Sequence, residues 1–234
     1  MRSKLPRIAG PSERTARTAG RVPALLILSG ILLCSGKADA QKSQFIGAQA
    51  CGACHPAQFK SQSESAHSKS LYPAGEHPLV ASFAPEKQFI RRPNFQFQLS
   101  AIRAAIRVRA SDNKDVMDIP VEWAFGAGKQ AVTFVTRVNQ DWYLEHYLSY
   151  YSSLGSFAPT PGQGAVVAHT LSEAMGILYR TADPQAGILK CFECHSTGPV
   201  SYGTEHELQP AELGVRCEAC HGAGSLHRLS LIHI

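Results

Sequence analysis

The middle of the chain alternates apolar and polar residues with a period of two, which is typical of strands that bury one face. Phe95 to Leu99 shows this most clearly, with glutamines between the apolar positions. Residues 111–114 and 139–141 are rich in Asn, Asp and Gln and indicate turns. We therefore predict a small antiparallel β-rich segment over residues 86–160. Its further alternating stretches are residues 102–110, 121–125, 132–138 and 142–151.

The flanking regions predict helices instead of strands. Residues 57–71 lack Gly and Pro and follow Pro56, which the first turn of a helix accepts, so we predict a polar helix that carries His67. A second helix is predicted over residues 166–179, where Leu171, Met175 and Leu178 would share one face and Met175 would belong to the core. Gly and Pro interrupt residues 198–210, and we expect only loops and short helices there.

The same five-residue motif, C-x-x-C-H, occurs at residues 51–55, 191–195 and 217–221. Residues i, i+3 and i+4 share a helical face, so two thiols and one imidazole project together. This arrangement suits haem c, in which each cysteine forms a thioether and the histidine binds the iron. We therefore predict three haem c groups, held by Cys51, Cys54 and His55, by Cys191, Cys194 and His195, and by Cys217, Cys220 and His221.

Other uses of paired cysteines explain this pattern less well. A structural zinc site combines cysteine pairs two by two and gives no reason for a histidine after each pair. A thioredoxin-like dithiol would use one pair near a βαβ pattern. A disulfide framework would not repeat a fixed histidine. Histidine is only 10 of 234 residues, so its presence after all three pairs favours haem over these readings.

Several further histidines are candidates for the second axial position of an iron. His67 would lie roughly 18 Å from His55 along an unbroken helix, so we expect it to serve a neighbouring haem unless the chain reverses. His169 and His206, which precedes the third motif, are also candidates. His146 falls within an alternating strand pattern, and we expect it to be a packed or surface residue.

Residues 217–227, C-E-A-C-H-G-A-G-S-L-H, resemble multihaem cytochromes of the cytochrome c554-like group. In that group C-x-x-C-H is followed by Gly-Pro-Gly and a histidine, and Ala223 stands here where proline is usual. The stretch around Cys51 and the downstream His67 are similar to the opening of the same group. The resemblance implies that His227 binds the iron of a neighbouring haem. It does not account for the strand-rich middle.

Residues 1–40 have the features of an export signal. A basic leader precedes the 13-residue apolar run Val22–Cys34, and Ala38-Asp-Ala40 is a small-residue cleavage site. Lipid attachment at Cys34 is a less favoured alternative, because Leu33 is large. Cleavage leaves six cysteines, all in the motifs, and no transmembrane helix. We expect a periplasmic or otherwise exported protein.

The charge distribution argues against a nucleic-acid partner. The leader contains seven of the 23 basic residues and two of the 18 acidic ones, which leaves 16 of each sign in the mature chain. The basic balance of the whole sequence therefore belongs to the leader, and no net positive charge remains to attract nucleic acid.

Together these features predict an α+β multihaem cytochrome c with much irregular structure, in which short helices and haems form a core beside the β-rich segment. Its predicted parts are a signal peptide (1–40), a first haem segment (41–85), the β-rich insert (86–160) and a paired haem segment (161–228). Residues 229–234 match the translated end of a transposon used for sequencing libraries, so we expect a non-native tail on a truncated chain.

The predicted function is single-electron transfer to and from redox partner proteins, which could include membrane-bound complexes. With both axial positions filled, a haem iron exchanges electrons but binds no substrate. The alternative is a multihaem reductase or oxidase of small nitrogen or sulfur compounds with one open haem. No separate acid–base group of residues supports that alternative. A haem-bearing sensor or binding domain is a third possibility if the chain is truncated.

Overall fold

The computed structural model describes residues 42–83, 87–91, 93–102, 105–181 and 187–230. The predicted signal peptide, Cys34 and residues 231–234 of the predicted tail lie outside these residues. Within the described ranges no helix has both the length and the apolar composition needed to cross a membrane. The helices are α1 Ala48–Gly52, α2 Pro56–Glu64, α3 Leu171–Met175, α4 Gly187–His195, α5 Cys217–His221 and α6 Ser225–Leu229.

Strands dominate the described residues, and all their pairings are antiparallel. The fold is thus mixed α and β with few helices. The strands are β1 Leu71–Pro73, β2 Lys87–Arg91, β3 Phe95–Ile102, β4 Ala105–Ser111, β5 Val116–Pro120, β6 Trp123–Phe125, β7 Ala131–Arg137, β8 Trp142–Tyr151, β9 Ser156–Pro159, β10 Gly176–Arg180, β11 Ser196–Tyr202 and β12 Leu208–Leu213.

These strands form two larger sheets and one hairpin. The six-stranded sheet has the order β1-β6-β7-β8-β10, with β9 also paired to β8, and the four-stranded sheet has the order β2-β3-β4-β5. The hairpin consists of β11 and β12. The strands predicted from alternation at residues 95–99, 132–138 and 142–151 are confirmed as β3, β7 and β8. The six-stranded sheet also recruits β1 and β10, which lie outside residues 86–160.

The main hydrophobic core lies between the two larger sheets. Alternate residues of β3 and β4, such as Phe97 and Val108, pack in one cluster with Phe134 and Leu148 of the six-stranded sheet. Met175 belongs to this cluster, as predicted. Each such buried side chain contributes about 1.5–3 kcal/mol relative to an exposed one. This core is built from side chains alone.

A second apolar cluster fixes helix α4 to the six-stranded sheet. Its centre is Phe192, which belongs to the second motif and is 0% exposed. The Phe192 ring meets the rings of Trp123 and Phe125 edge-on, with centroid distances of 5.3 and 5.1 Å. Aromatic edge contacts of this kind add to the burial energy. The second motif is therefore attached to the sheet by its own second residue.

Three local predictions were wrong. The polar helix ends at Glu64, because the Ser68 hydroxyl donates to the carbonyls of Ser63 and Ser65, so His67 lies in a turn. The second predicted helix stops at Met175, because Gly176 has φ 148° and packs its Cα against the Glu145 carbonyl of β8. The stretch between the second and third motifs is a hairpin.

That hairpin tolerates its Gly and Pro residues by a break in register. The β11 and β12 pairing shifts between Thr197 and Val200, so Gly198 and Pro199 fall within the irregularity. The hairpin is held to the larger sheet because Leu208 is buried and its N–H donates to the Tyr143 hydroxyl at 2.8 Å. Tertiary contacts therefore override local composition here.

Candidate functional site

The three C-x-x-C-H motifs share one local structure. Each lies on or beside a single helical turn, at α1, at the end of α4 and at α5. In every motif the first cysteine is half-buried and the second is exposed. No disulfide joins any of these six cysteines in the described structure. In the first motif the His55 N–H donates to the Cys51 carbonyl at 2.9 Å, which continues the helical turn to the histidine.

The residue after the first cysteine faces inward in all three motifs. Phe192 and Glu218 are buried at this position. A Cβ atom on Gly52 would lie 2.9 Å from the Phe59 ring, so only glycine fits there without a shift of that ring. The next residue is exposed each time, at Ala53, Glu193 and Ala219. The inward position therefore attaches the second and third motifs to the fold, and in the first motif it allows close packing against Phe59.

The imidazole of His195 is oriented by a hydrogen bond to the backbone. Its Nδ1 lies 3.0 Å from the Ser70 carbonyl oxygen, and the Ser70 hydroxyl donates back to the His195 carbonyl at 3.0 Å. Since a carbonyl only accepts, Nδ1 must carry the hydrogen, which leaves the Nε2 lone pair free to bind a metal. The Phe125 ring packs edge-on against the imidazole at 5.3 Å.

The surroundings of Cys191 disfavour a thiolate. Burial, followed by the nearby Glu145 carboxylate, raises the pKa of Cys191 to about 11. Burial also raises the pKa of Glu145, which accepts hydrogen bonds from Gln163 at 3.0 Å and from the Tyr179 hydroxyl at 3.2 Å. Zinc binding and thiol exchange require the thiolate, whereas a thioether is neutral. The environment of this sulfur therefore favours its neutral form.

The first and third motifs open onto one cavity of about 500 Å³. This volume falls within the range of about 300–1,000 Å³ that is usual for cofactor and small-ligand sites. Cys51 and Cys217 lie close enough to form a side-chain hydrogen bond. The cavity is lined by Cys51, His55, Gln58, Phe59, Cys217, Glu218, His221, Gly222, Ala223, Gly224 and His227.

Across this cavity the rings of His55 and His227 face each other. Their centroids are 6.2 Å apart and their planes differ by 21°. Two imidazole nitrogens on opposite sides of one metal ion are roughly 4 Å apart, which puts the ring centres roughly 6 Å apart. The centroid spacing therefore places both histidines within reach of one iron once their ring nitrogens turn towards it, and the donor set of the cavity fits haem c.

A turn after the third motif brings His227 to this position. Gly222 has φ 78°, a conformation that favours glycine, and the chain then enters α6. The Ser225 N–H donates to the Gln44 carbonyl at 3.1 Å, and the Ser225 hydroxyl accepts the Gln44 N–H at 2.8 Å. Residues before the first motif therefore hold the start of the helix that carries His227.

The remaining candidate histidines lie in different surroundings. His67 is exposed beside the third motif, where its carbonyl accepts the Val215 N–H at 2.9 Å. His169 is exposed just before α3, and its N–H donates to the Glu173 carboxylate at 2.8 Å. His206 is exposed at the tip of the β11–β12 hairpin, roughly 20 Å of strand from the second motif. No described contact joins His169 or His206 to a motif residue.

Two residues at the site were missed by sequence reasoning. Ser70 orients His195 through its backbone carbonyl, which carries no sequence signal. Glu218 lines the shared cavity, and its buried charge could not be inferred from its position in the motif. His146 is buried and bonded to Thr136 at 2.8 Å, in agreement with the predicted packing role. Among the described residues, no three His, Cys, Asp or Glu side chains converge on one metal position.

Residues 168–222 match the family model described as cytochrome c554 and c-prime. The matched region contains the second and third motifs, together with His169 and His206. It confirms the predicted resemblance to the cytochrome c554-like group over these residues, and it supports haem c as the cofactor and electron transfer as the activity. No curated protein and no solved structure matches the chain.

Proposed function

We propose that this chain is an exported multihaem c-type cytochrome that carries single electrons through three covalently attached haems. The observation that carries this proposal is the facing pair of His55 and His227 in a cavity lined by two attachment motifs. Such a pair would fill both axial positions of one iron. An iron with both positions filled can change its oxidation state without binding a substrate.

The residues have distinct roles in this proposal. The six motif cysteines would form the thioethers, and His55, His195 and His221 would each bind one iron. His227 would bind the first iron on the side opposite His55. When bound, haem supplies a centre that gains or loses one electron. His67 remains a candidate for the third iron because it lies beside the third motif.

The contacts among the motifs support electron transfer between neighbouring haems. The first and third motifs line one cavity, so their haems would be adjacent. The segment from His67 to Ser70 connects the second and third motifs. The His67 carbonyl accepts the Val215 N–H just before the third motif, and the Ser70 carbonyl bonds to His195 of the second motif. All three sites would therefore lie in one continuous group.

Export and surface electron exchange complete the proposal. The leader over residues 1–40 would direct the chain out of the cytoplasm, where c-type haem attachment generally occurs. Cys54, Cys194 and Cys220, the second cysteines of the motifs, are exposed on the protein chain, so each haem would be attached at its surface. Redox partner proteins, including membrane-bound electron-transfer complexes, could then exchange electrons there.

Mass spectrometry and spectroscopy of the exported protein test this function. In a host competent for cytochrome maturation, we expect the mature mass plus three haems and low-spin spectra that do not change with carbon monoxide or cyanide. His227→Ala should convert one of the three haems to a high-spin form that binds carbon monoxide. Arg228→Ala, at an exposed residue next to His227 that is not a ligand candidate, should leave the spectra unchanged.

Two results would contradict the proposal. A colourless product with the mass of its amino acids alone would exclude haem attachment. A wild-type protein that already contains a high-spin haem able to bind carbon monoxide would favour the multihaem redox enzyme instead of the electron carrier.

A further inference from the structure

Glu218 is a charged residue in a buried position. It follows the first cysteine of the third motif and is 3% exposed. Burial of a carboxylate is unfavourable unless hydrogen bonds replace the lost water. In the described part of the chain, neither ion pair involves Glu218. Its stabilisation must therefore come from other polar groups.

Three backbone N–H groups supply that stabilisation. The Ile46 N–H donates to both carboxylate oxygens at 3.0 and 3.1 Å, and the Gly47 N–H donates to one at 2.7 Å. The Gly224 N–H donates to the other at 2.7 Å. An ionised carboxylate only accepts hydrogen bonds, which matches these donors, and bonds to a charged acceptor are stronger than bonds to a neutral one.

These donors come from separate segments around the shared cavity. Ile46 and Gly47 precede α1, which leads into the first motif, and the next N–H, of Ala48, donates to Glu212 at 3.1 Å. Gly224 follows the third motif and precedes α6, which carries His227. One carboxylate therefore joins the start of the first motif, the third motif and the turn that leads to His227.

Close packing at Gly224 adds to this arrangement. A Cβ atom on Gly224 would lie 3.2 Å from a Glu218 carboxylate oxygen and 3.3 Å from Ile46 Cδ1. Both distances are tighter than ordinary contacts, so the turn and the carboxylate fit each other closely. The carboxylate also lines the cavity into which His55 and His227 face.

We infer that Glu218 is a positioning residue that holds His227 opposite His55 and places a fixed negative charge beside the first haem site. This inference rests on the proposed function. Loss of the carboxylate releases the turn at Gly224, and His227 then no longer stays within reach of the first iron. Removal of the charge also disfavours the oxidised iron, because the ferric form carries one more positive charge than the ferrous form.

The test compares Glu218→Gln with Glu193→Gln in the matured, full-length holoprotein. Glu193 is the exposed glutamate of the second motif and serves as the matched control. We expect Glu218→Gln to retain three haems by mass but to convert one of them to a high-spin form that binds carbon monoxide. Added imidazole should restore its low-spin spectrum. Glu193→Gln should match the wild type.

A redox titration separates the charge from the structural role. We expect the midpoint potential of one haem to rise in Glu218→Gln, measured with imidazole bound so that coordination is the same as in the wild type. Gly224→Ala provides a milder change, because it crowds the carboxylate without removing its charge. It should give a partial high-spin fraction and, with imidazole, the wild-type potential. If Glu218→Gln yields no holoprotein, the high-spin fraction of Gly224→Ala becomes the test of whether this contact positions His227.

The inference and the proposed function fail in different ways. If the wild type has three low-spin haems and Glu218→Gln has the same spectra and potentials, the inference is wrong and the function stands. The same conclusion follows if Glu193→Gln produces equal changes, or if Gly224→Ala, as the deciding variant, remains fully low-spin. If the wild type lacks haem, the proposed function itself fails.

Discussion

The β-rich region and the motif region are stabilised in different ways. Two sheets bury large side chains such as Phe97 and Phe134 in a continuous apolar core. The first and third motifs instead lie on five-residue helices, and their histidines His55 and His221 are exposed. Polar contacts from residues such as Glu218 hold these helices in place. The comparison indicates that the β-rich region is stabilised by its own apolar side chains, whereas the first and third motifs rely on polar contacts.

The second motif lies between these two extremes. Phe192 attaches it to the aromatic side chains of the six-stranded sheet, while His195 is oriented by a hydrogen bond to Ser70. Apolar packing at Phe192 therefore fixes the second motif to the six-stranded sheet. The hydrogen bond of His195 fixes the same motif to Ser70, which precedes β1. Three variants below test this division of the molecule.

The largest effect is expected in the core between the sheets. Phe134 is 0% exposed, so Phe134→Ala should lower the free energy of unfolding by about 3–5 kcal/mol through lost burial and the cavity left behind. Urea unfolding followed by tryptophan fluorescence measures this change. Leu154→Ala, at a side chain that is 62% exposed, is the control and should change stability by less than about 0.5 kcal/mol. Equal effects of the two would contradict the proposed core.

An acid-sensitive group within the same region should have the next largest effect. Burial lowers the pKa of His146 to about 3, from 6.5 in an unfolded chain. The Thr136 hydroxyl donates to the Pro120 carbonyl, so His146 Nε2–H must donate to Thr136, and no described residue bonds to the buried Nδ1. Between pH 6.5 and about 3 only the unfolded state binds the proton, so stability falls as the pH decreases.

His146→Leu should remove this pH dependence. His146 should lower the free energy of unfolding of the wild type by about 2 kcal/mol between pH 7 and pH 5. The variant should lack this contribution to the difference between the two pH values. Urea unfolding at the two pH values measures it. An unchanged difference between pH 7 and pH 5 in the variant would show that other groups cause the acid sensitivity.

A smaller and more local effect is expected beside the third motif. The buried Thr197 hydroxyl donates to the Gly214 carbonyl at 2.9 Å and accepts the Arg216 N–H at 2.7 Å. Thr197→Val leaves both groups without this partner and should cost about 1–2 kcal/mol. Hydrogen exchange should show faster opening at residues 214–221 while the β7 and β8 amides keep their protection.

Ser201→Ala is the control for this local prediction. Ser201 lies on the same hairpin, but its hydroxyl is exposed and donates to the Gln209 carbonyl at 3.3 Å. We expect no measurable change in exchange at the third motif. If Thr197→Val instead speeds exchange equally in β7 and β8, the two regions unfold as one unit and the division drawn above is wrong.

Local patterns predicted the strands well where one face of a sheet is buried. The alternation around Phe97 and in residues 142–151 reflects the sheet faces directly, so β3 and β8 could be identified. The helix predicted over residues 166–179 failed because Gly176 approaches the Glu145 carbonyl, a contact with a distant strand. The hairpin between the second and third motifs was missed because its irregular register accommodates Gly198 and Pro199.

The sequence by itself determined the three C-x-x-C-H motifs, because two cysteines and a histidine within one helical turn need no distant residue to share a face. Only the tertiary structure decided which further groups meet them. His55 and His227 face each other, and Glu218 joins the segments around them, through contacts between residues 46–55 and residues 218–227. No local spacing encodes such contacts, because they depend on how the sheets and the hairpin between them are packed.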